Sequence, residues 1–305
     1  MRVKIRIFFL WLSKFLVVEI LPANKSRLIP GNNSRRPPAG SALLPRIMFI
    51  DSHVHFDCFD KDGTLEEILA AAKEAGVHEM IAIGGSAEAN ARSARLAGEY
   101  PGRIFGCAGY DRDEATHELD FSSLRELLED PMVKAVGETG LDYYYTADTA
   151  AEQKKLFNEN LALAVEFEKP VVVHSRDADE DTISLLRDFS EAWKGDELCR
   201  GVLHCFTRDE KFARAVLDLG LYISFSGILT FNNAGALREM VQYVPDDRLL
   251  IETDSPYLAP VPMRGNRCEP AYVVHTAEKL AELKGIPLES VAELTAENAR
   301  TLFAL

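Results

Sequence analysis

The sequence predicts an α/β fold, a single closed (β/α)8 barrel of the TIM type, and three observations carry that prediction. Eight short apolar runs rich in β-branched residues recur from Arg46 onward, amphipathic stretches separate them, and each run ends in a polar or Gly-bounded loop. Continuous apolar strands that alternate with helices pair in parallel and keep their helices outside. Eight such units close into a barrel. An open doubly wound sheet is the alternative, but it normally carries a Gly-rich phosphate loop after its first strand. DSHVHFD stands there instead.

In chain order the predicted strands are RIMFID, HEMIAIGGS, RIFGCAGY, VKAVGE, KPVVVHS, RGVLHCF, GLYISFS and RLLIETD. LEEILAAAKEAG, FNENLALAVEFE and DEKFARAVLDLG are examples of the helices between them. The 305 residues leave room for a barrel domain over residues 48–305 and an appendage over residues 1–47. The appendage opens with MRVKIRIFFLWLSKFLVVEI, a basic start and an apolar run. Lys14 and Glu19 interrupt that run and no small-x-small cleavage site follows, so it is a poor secretory signal and a poor membrane span. Residues 22–46 are rich in Pro, Ser, Asn and Arg and read as a disordered linker. Residues 1–47 therefore read as an upstream start or as a targeting segment.

Charge narrows the function. Residues 1–47 hold nine Lys and Arg against one acid, a net of +8, while the remainder holds 25 against 47, a net of −22. A body so acidic does not grip duplex nucleic acid through a broad basic face, so a polyanionic substrate would need metal ions and a few local arginines. The five cysteines are odd in number and none forms a CxxC pair, which points to a reducing compartment, the cytoplasm, and away from a thiolate metal site. No stable protein partner is inferred.

The chemistry-bearing residues fall where a barrel places its active site, at the C-terminal ends of the strands. The first run leads into His53-Val54-His55, the fourth ends in Glu138, the fifth leads to His174, the sixth to His204 and the eighth to Asp254. Side chains alternate along a strand, so His53 and His55 share one face and form a natural chelate for a divalent ion. Each residue has a plainer reading: a satisfied polar group at His174 or His204, a helix cap at Asp254, a carboxylate held by amides at Glu138. Four imidazoles and two carboxylates on one rim are harder to explain singly, because burying them without a cation costs several kcal/mol. Six ligands exceed the needs of one tetrahedral ion, so two divalent ions are expected, Mg²⁺, Mn²⁺ or Zn²⁺. A bridging carboxylate would hold them about 3.5–4 Å apart and a water between them would be acidified toward neutral pH.

With these positions in view, MFIDSHVHFD, VGETGLDYYY, QKKLFNENLALAVEFEKPVVVHSRDADEDT, GVLHCFT, YISFSGILTF and LLIETDSPYLAPVPMRG resemble, in order and spacing, the TatD-type deoxyribonucleases. The resemblance runs from about Met48 to the C-terminus. It implies a metal-dependent hydrolase on a TIM barrel, related to the amidohydrolases, that cuts DNA as a 3′→5′ exonuclease on single strands or 3′ ends. It also implies that His53, His55 and Asp254 hold one metal, that His174 and His204 hold the other, that Glu138 bridges, and that Asp254 is the general base. Glu138 replaces the bridging lysine of amidohydrolases that use a carbamylated one. The chain departs from the family at Arg208-Asp209, where Gly-Ser is common, and at Met263 and Cys268.

Arg176, Arg208, Arg264 and Arg267 are the candidates for phosphate contact, since guanidinium offers a bidentate fork. Arg264 has the best claim, because its loop follows the Asp254 strand. Tyr143, Tyr144 and Tyr145 could stack on a base or pack beneath a rim loop. Cys205 follows His204 in alternation and is expected to face away from the site. Two other readings stay open: a small-molecule ester, amide or lactone hydrolase using the same centre, and a scaffold without activity.

Overall fold

The computed structural model describes residues 47–305. The expected appendage lies outside them except for Ile47, which packs against the core. Eight strands form one parallel sheet in sequence order: β1 (Phe49–Val54), β2 (Val77–Ala82), β3 (Ile104–Ala108), β4 (Val133–Asp142), β5 (Val171–Arg176), β6 (Gly201–Leu203), β7 (Tyr222–Phe225) and β8 (Leu249–Ile251). The ring closes where Val54 bridges to Ser255, His55 N–H donates to Ser255 O at 2.8 Å and Asp254 N–H donates to His53 O at 3.1 Å. The (β/α)8 prediction holds, strand for strand.

The three example helices also appear, as Leu65–Glu74, within Ala150–Phe167, and as Glu210–Asp218. The last is capped by Asp209, whose carboxylate accepts from Phe212 N–H at 2.9 Å. Alternation on the strands sorts the core into two layers. Phe49, Val171, Val173, Leu249 and Ile251 point outward under the helices. Ile50, Ile81, Phe105, Val172, Val202 and Leu250 fill the barrel interior, where Ala296, Ala299, Leu302 and Phe303 of helix Leu288–Phe303 meet them. Among the described residues no helix is long and apolar enough to cross a membrane.

Candidate metal centre

The same alternation that buries the interior carries polar groups to the rim. Above Val172 on β5 come His174 and Arg176, above Val202 comes His204, and above Leu250 come Glu252 and Asp254. His53 and His55 lie at the end of β1, where pairing with β2 shifts register between Asp51 and Val54. Glu138 comes from the middle of β4 rather than its end, since that strand runs on to Asp142. Gly140 makes this possible: its φ is +140°, and a Cβ there would overlap the His174 carbonyl of β5.

Glu138 stands between two groups of side chains. Its Oε2 lies 3.4 Å from His53 Nε2 and 3.5 Å from His55 Nε2, and its Oε1 lies 3.2 Å from His204 Nε2 and 3.3 Å from His174 Nδ1. Asp254 Oδ1 is 3.5 Å from His55 Nε2 and 3.8 Å from His53 Nε2. The backbone of Asp254 sits in the left-handed region, φ +58°, a strained setting for a non-glycine residue of the kind that clusters at active sites. All six rim residues thus come together. Two overlapping triplets, His53–Glu138–His204 and His53–His55–Asp254, each bring three donor atoms within reach of one ion. His174 belongs to neither triplet, although its Nδ1 is 3.3 Å from His204 Nε2.

The electrostatics suit a cation. Burial resists ionisation of Glu138, yet the imidazoles of His204, His174 and His53 outweigh it and hold the carboxyl well below its usual range. Burial also opposes ionisation of Asp254, and His55 and His53 hold it low in the same way. Burial, reinforced by the neighbouring His204, pushes His53 down and keeps it unprotonated. Burial opposes protonation of His55, His174 and His204 as well, but the neighbouring carboxylates of Glu138, Asp254, Asp142 and Glu252 outweigh it and raise all three. Carboxylates and imidazoles packed this closely, sharing protons that a divalent ion would displace, are the donor set of mixed N/O sites, so these residues fit a metal.

Several neighbours were not singled out in the sequence. Asp142 Oδ2 lies 3.2 Å from His174 Nε2, and Glu252 Oε1 lies 3.4 Å from His204 Nδ1, so a carboxylate stands behind each of these imidazoles and fixes its ring. Arg112 Nη1 lies 3.2 Å from Glu138 Oε1 and is anchored on both oxygens of Asp111, at 2.7 and 2.8 Å. Two buried asparagines hold the loop leading to Arg112. Asn90 exchanges hydrogen bonds with Gly109 at 2.8 and 3.0 Å, and Asn160 does so with Tyr110 at 3.0 and 3.1 Å.

The site opens into a cavity of about 770 Å³ whose wall includes Arg112, Arg176, Tyr145 and Tyr257. Of the arginines named for phosphate contact, Arg176 lines this cavity. Arg264 and Tyr143 require correction, because neither lines this cavity. The Arg264 guanidinium lies over the Phe231 ring, 3.8 Å from its centroid, and donates to the Ala259 carbonyl at 3.0 Å. The Tyr143 hydroxyl donates to Asp181 at 2.7 Å, away from the centre. Arg208 is paired with Asp177 and Asp179, and Arg267 with Asp62. Cys205 is also corrected: φ +46° breaks the strand alternation after His204 and turns the residue into the cavity wall.

With this geometry established, comparison with known proteins decides the family: the family model described as TatD related DNase matches residues 50–304. The chain belongs to the TatD family. It is 42% identical over 260 residues to the uncharacterized metal-dependent hydrolase YcfH of Escherichia coli (strain K12), covering 84% of this chain and 96% of that one. It is 36% identical over 255 residues to the 3'-5' ssDNA/RNA exonuclease TatD of Rahnella sp., covering 81% of this chain and 94% of that one. The solved structure of YJJV, a TatD homolog from Escherichia coli K12, superposes with a TM-score of 0.77 at 29% identity, covering 84% of this chain and 98% of that chain. This TatD-family member is a metal-dependent hydrolase on a TIM barrel of the amidohydrolase-like type.

Proposed function

We propose that this TatD-family chain is a two-metal deoxyribonuclease that removes nucleotides from single-stranded 3′ ends. The observation that carries the proposal is the position of Glu138, whose two oxygens face two separate sets of ligands. In this reading His53, His55 and Asp254 would hold one divalent ion, His174 and His204 would hold the other, and Glu138 would serve both. Such ions supply Lewis acidity toward a phosphoryl oxygen and acidify a water molecule. Asp254, ionised and directed at the same space, accepts a proton from the attacking water. Asp142 and Glu252 keep the His174 and His204 rings oriented. Arg112 and Arg176 meet phosphate oxygens from the cavity wall. The exonuclease name of the Rahnella relative supports polarity and substrate.

The test is to strip metal from the full chain, add back Mg²⁺, Mn²⁺ or Zn²⁺, and supply end-labelled single-stranded DNA beside a set of neutral esters. Asp254→Asn serves as the contamination control. Shortening from the 3′ end, dependent on metal and lost in the variant, is the expected result. Ester hydrolysis without DNA cleavage would move the assignment to a small-molecule hydrolase, the reading favoured by the −22 charge of residues 48–305.

A further inference from the structure

We propose that Arg176, Tyr144 and Tyr145 form a nucleobase-stacking subsite beside the metal centre, which selects a single strand over a duplex end. The inference rests on the phosphodiesterase reading and adds the part of the substrate that is recognised. Arg176 is two residues beyond His174 on the same face of β5, so it stands about 6–7 Å farther out along the strand. That is a reach comparable to the step between successive phosphates of an extended strand. The guanidinium carbon lies 4.0 Å from the Tyr144 ring centroid and 4.7 Å from that of Tyr145, and the two rings are perpendicular at 4.8 Å. Asp142 fixes the arrangement by accepting from Tyr144 N–H and Tyr145 N–H, each at 3.0 Å. The same carboxylate holds His174, so the platform is tied to the metal centre through one side chain.

Two features point to a nucleotide. Both rings are open to solvent, Tyr144 59% and Tyr145 68% exposed, although large aromatic surface is normally buried. Arg176 makes no ion pair among the described residues, whereas the other cavity arginine, Arg112, is paired with Asp111. A guanidinium without an ion pair, held by aromatic faces, is preorganised for an anion, and the exposed surface of the two rings suits the π-face of a base. A base still paired in a duplex cannot reach such a surface, so the subsite selects unpaired ends.

Binding tests this separately from catalysis. The metal-loaded full chain carrying Asp254→Asn is titrated with a fluorescent single strand, and with the same strand lacking its 3′-terminal base. The natural strand is expected to bind about 10- to 100-fold more tightly. Tyr144→Ala with Tyr145→Ala should abolish that preference by weakening the natural strand far more than the abasic one, and Tyr144→Phe with Tyr145→Phe should restore it. Equal binding of natural and abasic strands, or equal weakening of both by the alanine pair, overturns the subsite. If the preference is present but wild type cleaves neither DNA nor methyl p-nitrophenyl phosphate, the subsite stands and the phosphodiesterase reading falls.

Discussion

At one end of the barrel Ala296, Ala299, Leu302 and Phe303 lie beneath Ile50, Phe105, Val172 and Leu250, in a purely apolar seam. At the other end the same strands, a few residues further on, bring four imidazoles and a cluster of carboxylates together beside a cavity. The apolar end gains free energy from every group it buries. The rim gathers ionisable groups that pay a desolvation cost and become favourable together only around a cation. The difference teaches that a strand of this fold has two jobs along its length, and that on β5, β6 and β8 the residue number at which it changes role is readable from alternation.

The largest effects should separate the two ends. Asp254→Asn should lower metal-dependent turnover by about 10²–10⁴-fold, the range for losing a general base, while leaving a cooperative unfolding transition. Steady-state kinetics beside a thermal melt would check this. Phe303→Ala should do the converse, costing about 3–5 kcal/mol in urea unfolding with unchanged turnover per folded molecule. A matching loss of metal affinity in that variant would mean that the ends are coupled. A smaller effect is expected one layer behind the rim, where Asp142→Asn or Glu252→Gln should weaken divalent-metal binding by about 10- to 100-fold in an indicator competition. Affinity unchanged in both would remove their orienting role.

The smallest effect belongs to the seam's own titratable neighbour. Lys169, at the entry to β5, donates to the Asp130 carbonyl at 3.0 Å and to the Val133 carbonyl, and burial pushes its ammonium down to about 8. The folded state gives up this proton before the unfolded chain does. Stability relative to Lys169→Met should therefore rise as pH increases from about 8 toward the ordinary lysine value of about 10.4. Chemical denaturation of both proteins at pH 7.5 and pH 9.5 would show the gap widening, and a constant gap would contradict the shift.

The barrel was legible from its alternating runs, and His174, His204 and Asp254 from period-two alternation beyond Val172, Val202 and Leu250. His53, His55 and Glu138 were legible as polar groups closing an apolar run, although a register shift in β1 and the length of β4 put them out of that phase. Glu252 was legible by alternation, sharing a face with Leu250 and Asp254, but the weight given to Asp254 hid it. Asp142 was missed because β4 runs four residues past Glu138, and only the packing of Gly140 against β5 reveals that extension. Arg112 lies on a loop held by asparagine amides, and no periodic pattern marks it. The same limit explains Arg264 and Tyr143. Nearness to a ligand in sequence says little about side-chain direction once the chain leaves the strand, and Phe231 and Asp181 decided those two directions.

Helix Leu288–Phe303 follows all eight strands in sequence, yet it closes the apolar end of the space inside them. During synthesis, at about 5–20 residues per second, β8 is made a few seconds before the side chains that seat against Leu250. Until those side chains arrive, the assembling barrel lacks its apolar floor. The apolar floor of the barrel therefore stays open to water until the final residues of the chain have seated.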